Sequence, residues 1–327
     1  MNDPILIATR GSALALAQAN SVLAQCRAAF PALRFDLKII KTTGDKLQTA
    51  SLAQEGQALP KGLFTKELEV ALLRGEADLA VHSLKDLPTE LPEGLKLGAV
   101  GKRADVRDVM VYRAASGSAG ESPSPRGFAP GLRVADLPSG AVVASSSTRR
   151  KAQLLVLHSA LRVVDIRGNV LTRLQKVATR PELDATLLAL AGMTRLHYTI
   201  SPEGRLHGPG VPDGLLAAIL DPSEMLPCVG QAAVGLEIRE HDERLEAVCQ
   251  RLNDGETLEC VTAERAFLAG MGGGCQSPVA AWAVVVGDQL HMRAVSFASG
   301  PVRRAEAERP LGQAAELGQA MATTLKG

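Results

Sequence analysis

The sequence predicts an α/β fold with a smaller α+β module at its carboxyl end. Short apolar runs alternate with segments of helical spacing over most of the chain, which is typical of parallel sheets covered by helices. From residue 279 onward two apolar runs flank Gly287-Asp288, and this pattern indicates a β-hairpin. At 327 residues the chain is longer than one hydrophobic core usually grows, so two or three domains are expected.

The order of the elements follows from the apolar runs. Strands are predicted at 4–8, 35–41, 77–81, 95–100, 109–112, 141–144, 162–166, 184–189, 279–286, 290–297 and near 302–307. Helices are predicted at 12–30, 66–74, 242–252, 256–270 and from residue 311 onward. The charged segment 101–105 indicates a crossing into a second domain, and 227–231 a return to the first. The polar stretch from residue 42 to 60 predicts a mobile loop, for which a lid is one interpretation.

Composition excludes several classes of function. Lysine and arginine number 36 against 35 acidic residues, so bulk charge does not favour nucleic acid or membrane binding. The five cysteines form no CxxC pair, which favours a reducing compartment and predicts no metal site. We find no secretory signal and no apolar window as long as a membrane span. A cytoplasmic protein is therefore expected.

Basic residues recur where predicted strands pass into helices. The guanidinium fork suits carboxylates and phosphates, so three such junctions in a row predict a ligand with several anionic groups. These residues are Arg149 and Arg150, Arg167 with Arg173 one turn on, and Arg195. Arg10 and Ser12 stand at an earlier junction of the same kind, where a simple helix cap beside a solvated arginine is the alternative.

Two further stretches could carry chemistry. The strand at 77–81 runs into Lys85 and Asp86, a position suited to acid-base work or cation stabilisation, although a structural ion pair is equally compatible with the spacing. His82 is expected to be a packed, hydrogen-bonded residue. Cys275 follows three glycines and precedes a proline, so its sulfur is expected to be displayed on a loop, while a buried cysteine is the alternative.

Six motifs taken together closely resemble the porphobilinogen deaminase (hydroxymethylbilane synthase) family. The resemblance covers essentially the whole chain, with the motifs in the family's order. The motifs are Ala8-Thr-Arg-Gly-Ser12, Lys61-Gly-Leu-Phe-Thr-Lys-Glu-Leu-Glu69, Val81-His-Ser-Leu-Lys-Asp-Leu-Pro88, Ser146-Ser-Thr-Arg-Arg150, Ile166-Arg-Gly-Asn-Val170 and Gly273-Gly-Cys275.

This resemblance implies a transferase of tetrapyrrole biosynthesis, which joins four porphobilinogens head to tail into hydroxymethylbilane and releases ammonia. It implies two α/β domains like those of type II periplasmic binding proteins and a smaller C-terminal α+β domain. We place them at residues 1–104 with 231–252, at 105–230, and at 253–327. It also implies a monomer, with uroporphyrinogen-III synthase as a candidate recipient of the product.

The resemblance also implies roles for individual residues. Cys275 would carry a dipyrromethane cofactor through a thioether, and Asp86 would bind pyrrole N–H groups, protonate the departing amine and stabilise the azafulvenium cation. Lys61 and Phe64 would border the mobile loop near the cleft. The residues that would hold the carboxylates of cofactor and substrate are Arg10, Ser12, Lys85, Arg149, Arg150, Arg167, Arg173 and Arg195. The chain departs from the family's pattern at Cys228 and Ala232, where alanine and glycine are more usual.

Two other hypotheses remain open at the level of sequence. A two-lobed solute-binding protein would clamp a carboxylated ligand without chemistry, but it leaves the third domain without a purpose. A cysteine hydrolase would use Cys275 with His82, and it requires a thiolate beside a base. Nothing in the spacing shows that these two residues meet.

Overall fold

The computed structural model describes residues 3–44, 62–115, 126–274, 277–298 and 300–326 of the chain. Two five-stranded sheets and one three-stranded sheet organise this part of the chain, with a two-stranded hairpin beside them. Strands are numbered in chain order. The first five-stranded sheet contains β1 (Ile5–Arg10), β2 (Phe35–Ile40), β3 (Leu79–Ser83), β4 (Leu95–Val100) and β12 (Val234–Arg239).

The second five-stranded sheet is formed by the middle of the chain. Its strands are β5 (Asp108–Arg113), β6 (Val142–Ala144), β7 (Arg162–Val164), β8 (Ala185–Ala189) and β11 (Leu215–Ile219), and the separate hairpin is β9 (Thr199–Ile200) with β10 (Leu206–His207). β5 is flanked by antiparallel partners on both sides and is buried along its whole length. This accounts for its nearly continuous apolar sequence.

The two large sheets are wound in the same way. Their strand orders are β2-β1-β3-β12-β4 and β7-β6-β8-β5-β11. In each sheet the fourth strand runs antiparallel to its neighbours and is the first strand after the chain crosses from the other sheet. The two crossings join β4 to β5 and β11 to β12. This architecture confirms the predicted α/β fold class, with two similarly wound α/β units and a smaller C-terminal unit.

Helices cover the faces of these sheets. They are α1 (Ala13–Ala29), α2 (Lys66–Leu73), α3 (Thr148–Leu157), α4 (Val170–Thr179), α5 (Leu190–Arg195) and α6 (Glu243–Leu252). In α1 the residues Ala15, Ala19, Val22 and Cys26 recur at helical spacing, and all four are buried. Three of them, with β1, β3 and β12, form one hydrophobic core of the first sheet.

The C-terminal unit is the predicted α+β module. It consists of α7 (Gly255–Gly270), β13 (Val279–Val286), β14 (Gln289–Ser296), β15 (Arg303–Pro310) and α8 (Ala314–Lys326), with the strands in an antiparallel meander. The two helices touch at Gly318, where an added Cβ would lie 2.1 Å from the carbonyl oxygen of Ala263. Only glycine therefore permits this helix pair to pack so closely.

Most of the predicted elements are present, with some shifted boundaries. β1 and β3 run two residues further than expected, so that Arg10 and Ser83 are strand residues rather than the first residues of a loop. The strand β11 was not predicted, because five consecutive apolar residues do not by themselves distinguish a buried strand from a buried helix. Among the described residues, no helix is long and apolar enough to span a membrane.

Candidate active site

A short turn presents Lys85 and Asp86 at the end of β3. The strand is followed by a single 3-10 turn, Leu84–Asp86. Leu84 and Leu87 on either side of the charged pair are 1% and 3% exposed, whereas Lys85 and Asp86 are only half-buried. The apolar neighbours thus anchor the turn in the core, and the two charged side chains point away from it.

This turn is held by the rest of the molecule. Gly230, in the returning crossover, has a φ of +69°, and a Cβ there would lie 3.2 Å from the backbone nitrogen of Lys85. Arg265 of α7 donates hydrogen bonds to the carbonyl oxygens of Leu87 (3.1 Å) and Pro88 (2.6 Å). The position of Asp86 is therefore fixed by both the crossover and the C-terminal unit.

Two buried arginines begin α3. Ser147 caps this helix and accepts a hydrogen bond from the backbone N–H of Arg150. Arg149 and Arg150 are 4% and 7% exposed, although residues of a first helical turn commonly face solvent. Their Nη2 atoms each lie 2.7 Å from one oxygen of the Asp108 carboxylate. One buried carboxylate thus orients both guanidinium groups.

Asp108 is ionised in this environment. Its burial opposes ionisation, but the charges of Arg149 and Arg150 and their hydrogen bonds outweigh that effect and hold the pKa of Asp108 below its usual value. The side-chain amide of Gln231 donates a further bond of 2.9 Å to the same carboxylate. Two positive charges therefore face one negative charge.

Two buried hydrogen-bond donors of this cluster have no acceptor among the described residues. The Nε atoms of Arg149 and Arg150 are buried, and neither has a hydrogen-bond partner among the described residues. Arg173 of α4 lies close to them: burial, and then the charge of Arg150, lower its pKa to about 10. Three guanidinium groups close to a single carboxylate leave a surplus of positive charge, which suits the cluster to bind a ligand with carboxylate groups.

The thiol of Cys228 lies near both the Asp86 turn and the arginine pair. Burial is the largest effect on this half-buried thiol and raises its pKa. The nearby charges of Arg149 and Lys85 lower that pKa, and those of Asp86 and Asp108 raise it. The crossover that carries Cys228 contacts both parts of the site, because a Cβ at Gly230 would lie 3.2 Å from the backbone nitrogen of Lys85 and Gln231 bonds Asp108. The structure brings together these elements of the predicted site.

The end of β1 contributes a second cationic position. The guanidinium carbon of Arg10 lies 4.2 Å from the centre of the Phe64 ring, a cation–π contact. Ser12 is the N-cap of α1, and its hydroxyl oxygen accepts a bond of 3.3 Å from the N–H of Ala15. Ser12 therefore has the capping role that the sequence left open as the alternative, and Arg10 lies against the Phe64 ring.

The remaining predicted residues are placed differently. Arg167 is exposed, and Arg195 lines a separate cavity, where its Nη2 donates a bond of 2.6 Å to the carbonyl oxygen of Ala232. Cys275 and Lys61 lie outside the described residues. The sequence interpretation missed Asp108 and Gln231. For Asp108 the available signal was an ionisable side chain directly before the strand predicted at 109–112, and for Gln231 there was no comparable signal.

Histidine chemistry is not supported at this site. The Nε2 atom of His82 lies 2.9 Å from Oε2 of Glu237, and both side chains are buried. The prediction that His82 is a packed, hydrogen-bonded residue is confirmed. Within the described ranges, no group of three His, Cys, Asp or Glu side chains is arranged to hold a metal ion.

Family models and relatives identify the chain's family. The model for "Porphobilinogen deaminase, dipyromethane cofactor binding domain" matches residues 5–247, and that for "Porphobilinogen deaminase, C-terminal domain" matches residues 258–327. The porphobilinogen deaminase of Paracoccus denitrificans is 41% identical over 329 aligned positions, which cover 99% of this chain and 94% of the relative. That of Thermus thermophilus is 42% identical over 317 positions, which cover 96% and 92%.

Solved structures of other families are similar only in part. The periplasmic aliphatic sulphonate binding protein SsuA of Escherichia coli has a TM-score of 0.40 at 13% identity, over 83% of this chain and 71% of that one. The BenM effector binding domain with benzoate has a TM-score of 0.39 at 14% identity, over 76% and 90%. At these scores the likeness carries no conclusion. The family models and the full-length relatives are conclusive. They show that the chain belongs to the porphobilinogen deaminase family and is a transferase that makes hydroxymethylbilane from porphobilinogen with a dipyrromethane cofactor.

Proposed function

We propose that Asp86 is the catalytic residue of this reaction and that Cys275 attaches the dipyrromethane cofactor through a thioether. The surplus of buried positive charge around Arg149 and Arg150 is the observation that carries the proposal, because these two guanidinium groups share the single negative charge of Asp108 and burying uncompensated charge is costly. The acid side arms of pyrroles supply the missing anions. The donor set therefore fits the cofactor.

Each member of the cationic set has a role in binding carboxylates. The guanidinium groups of the buried Arg149 and Arg150 and of the half-buried Arg173 are held by hydrogen bonds before any ligand arrives, so little conformational entropy is lost on binding. Arg10 is held by the Phe64 ring at the end of β1. The full set proposed to bind cofactor or substrate carboxylates is Arg10, Ser12, Lys85, Arg149, Arg150, Arg167, Arg173 and Arg195, with Lys61 and Phe64 at the border of a mobile loop.

Asp86 would act where positive charge develops. Its carboxylate accepts hydrogen bonds from the pyrrole N–H of the substrate, and its charge stabilises the cation that remains when the aminomethyl group leaves as ammonia. A carboxyl group here can also carry the proton that the departing amine takes and receive the proton lost from the attacked pyrrole carbon. When bound, the dipyrromethane supplies the pyrrole carbon to which the first substrate unit is joined.

The fold would distribute these roles over three domains. We propose boundaries at residues 1–104 with 231–252, at 105–230 and at 253–327, which puts Asp86 in the first, the buried arginines in the second and Cys275 in the third. Both crossovers between the large sheets would serve as the hinge. We further propose that the chain works as a cytoplasmic monomer without nucleic acid or membrane partners, and that its product passes to uroporphyrinogen-III synthase.

The variant Asp86→Asn tests the catalytic role. It keeps the size of the side chain and removes the charge, so we expect turnover to fall by about a thousandfold, the order seen when one stabilising group is removed. Because cofactor binding depends on other residues, the mass of the loaded chain should be unchanged. Glu90→Gln, an exposed carboxylate four residues along the same segment, is the control and should retain full turnover. If Asp86→Asn retains more than a tenth of wild-type turnover, Asp86 does not have this role.

A further inference from the structure

A cavity of about 250 Å³ lies where α1, α5, β12 and the outgoing crossover meet. Its wall includes Gln18 and Ser21 of α1, Lys102 of the crossover and Arg195 of α5. The cavity therefore touches the first sheet's helix layer, the second domain's α5 and the hinge segment at once. Of the residues proposed above to bind carboxylates, Arg195 alone lines it within the described part of the chain.

The charge in this cavity is one-sided. Lys102 and Arg195 line it, and no carboxylate among the described residues does. Arg195 forms no ion pair with any described residue, and burial lowers its pKa, as expected for a cation removed from water without a counter-ion. Lys102 is exposed, and the carboxylate it influences is Asp254, whose pKa is lowered mainly by a hydrogen bond from Thr257 and only slightly by Lys102.

The rest of the wall is apolar. Val22, Val234, Leu236 and Leu252 also line the cavity. A bare inorganic anion would leave these side chains in contact with water, whereas a small ring or alkyl body would cover them. Pockets with an apolar wall and a few convergent polar groups are typical of small-molecule sites.

We propose that this cavity binds a small organic anion, with one or two carboxylates on an apolar body, at a site separate from the Asp86 cleft. The carboxylates would meet Lys102 and Arg195, and the side-chain groups of Ser21 and Gln18 would supply additional hydrogen bonds. The apolar body would lie on Val234 and its neighbours. The inference rests on the proposed carboxylate-binding role of Arg195 but gives that residue a ligand other than cofactor or substrate.

A ligand bound in this cavity would affect the turn that carries Asp86 through two sets of hydrogen bonds. Gln18 exchanges hydrogen bonds of 3.0 and 3.1 Å with Ser83, the residue directly before the turn that carries Asp86. Arg195 bonds the carbonyl oxygen of Ala232 in the returning crossover. A ligand that engages Gln18 and Arg195 would therefore favour one arrangement of the two lobes, and we infer that it lowers turnover without competing with substrate.

Calorimetric titration of the cofactor-loaded enzyme with phthalate tests the proposal. Phthalate has two carboxylates on an apolar ring, benzamide has the ring without the charge, and inorganic phosphate has the charge without the ring. We expect saturable binding of phthalate and at least tenfold weaker binding of both comparators. Phthalate should also lower the maximal rate of hydroxymethylbilane formation without raising the Michaelis constant in proportion.

Charge reversal at one exposed residue locates the binding. Lys102→Glu should weaken phthalate binding at least tenfold and relieve the inhibition, and Lys102→Arg should stay within threefold of wild type. Lys326→Glu makes the same change of net charge at an exposed position on α8 and should leave binding unaltered. The proposal is overturned if no saturable binding occurs, if inorganic phosphate binds as tightly as phthalate, or if inhibition is purely competitive and insensitive to Lys102→Glu. That last result would assign the binding to the Asp86 cleft.

Discussion

The carboxylate of Asp108 lies 2.7 Å from the Nη2 atom of Arg149, at a place where the two side chains are 0% and 5% exposed. Arg150 occupies the other carboxylate oxygen in the same way. The first residue of β5 thus holds in place the first turn of α3, some 40 residues later in the chain. Asp108 is a positioning residue for the arginine pair, and its loss should affect both folding and ligand binding.

Asp108→Asn should destabilise the protein strongly. The substitution leaves two buried guanidinium groups without their counter-charge, which typically costs about 3–5 kcal/mol of unfolding free energy. Urea denaturation measures this loss. Asp136→Asn is the matched control, because its partner Arg133 and the carboxylate are both exposed, and such surface pairs contribute little to stability. Equal losses in the two variants would show that Asp108 is not the anchor.

The ion pairs of Asp108 with Arg149 and Arg150 predict that the free energy of unfolding depends on pH. The pKa of Asp108 is lowered in the folded state, so its contribution to stability is present above the unfolded-state pKa of about 3.9 and is lost as pH falls towards the folded-state pKa. The difference in unfolding free energy between wild type and Asp108→Asn should therefore be constant near neutral pH and shrink below about pH 4. A difference that grows on acidification would contradict this assignment.

Glu264 of α7 fastens the C-terminal unit to the hinge. Its carboxylate receives both Nη atoms of Arg103 at 2.6 and 2.9 Å, and the backbone N–H groups of Gly230 and Ala283 at 2.8 and 2.9 Å. Glu264→Gln should cost about 3 kcal/mol, since the buried Arg103 loses its counter-charge. Glu308→Gln, at an exposed glutamate of β15, is the control for urea denaturation. Indistinguishable midpoints in the two variants would rule out this role.

Ala232 carries backbone strain at the hinge. Its φ is +71°, in the left-handed region where glycine is favoured, and glycine is the residue more usual in the resembling family. Its methyl group packs with Val106, Ala191 and the partly buried Trp282. Ala232→Gly should relieve about 1 kcal/mol of strain and lose about as much by removing the methyl group, so its net effect on unfolding free energy should be small.

Ala191→Gly provides the comparison for that hinge substitution. It removes a methyl group from the same cluster but lies in α5, where glycine costs about 1 kcal/mol more than alanine. We expect it to destabilise the protein by about 2 kcal/mol, well beyond Ala232→Gly. Similar losses at both positions would mean that the left-handed conformation of Ala232 costs nothing.

The ring of Phe64 should contribute to substrate binding through Arg10. Phe64→Leu removes the cation–π contact, which is worth about 0.5–1 kcal/mol at partly exposed sites, and leaves the guanidinium less ordered. We expect the Michaelis constant for porphobilinogen to rise two- to fivefold by this reasoning, with little change in maximal rate. Phe64→Tyr keeps the ring and should behave as wild type. If Phe64→Leu and Phe64→Tyr have the same Michaelis constant, the cation–π contact with Arg10 does not contribute to substrate binding.

The sequence predicted the elements of the fold better than the contacts of the site. Apolar runs and helical spacing are local signals, so β4, α6 and the C-terminal hairpin were placed nearly to the residue. The basic junctions were also visible, because Arg149 and Arg150 follow the strand predicted at 141–144 within a few residues. In contrast, the role of Asp108 depends on a pairing across some 40 residues, and no local pattern encodes it. The same holds for β11, which is defined by its partner β5.

The arginines illustrate a second limit of sequence reasoning. The arginines at the strand-to-helix junctions of one sheet edge were all expected to bind the same ligand. Arg149, Arg150 and Arg173 do cluster, but Arg195 follows β8 on the short helix α5 and reaches back to the crossover at Ala232. Which way a long side chain turns is decided by tertiary packing, which residue spacing does not record.

The intact mass of the purified chain tests the central claim most directly. We predict that the wild type and Cys228→Ser both carry an adduct of two pyrrole units and that Cys275→Ser does not. Cys228 is the most informative control, because it is half-buried whereas the other described cysteines are buried. It also lies near Asp86, whose charge raises the pKa of the Cys228 thiol. An active wild type without the adduct, or an adduct that persists in Cys275→Ser and disappears in Cys228→Ser, would contradict the account.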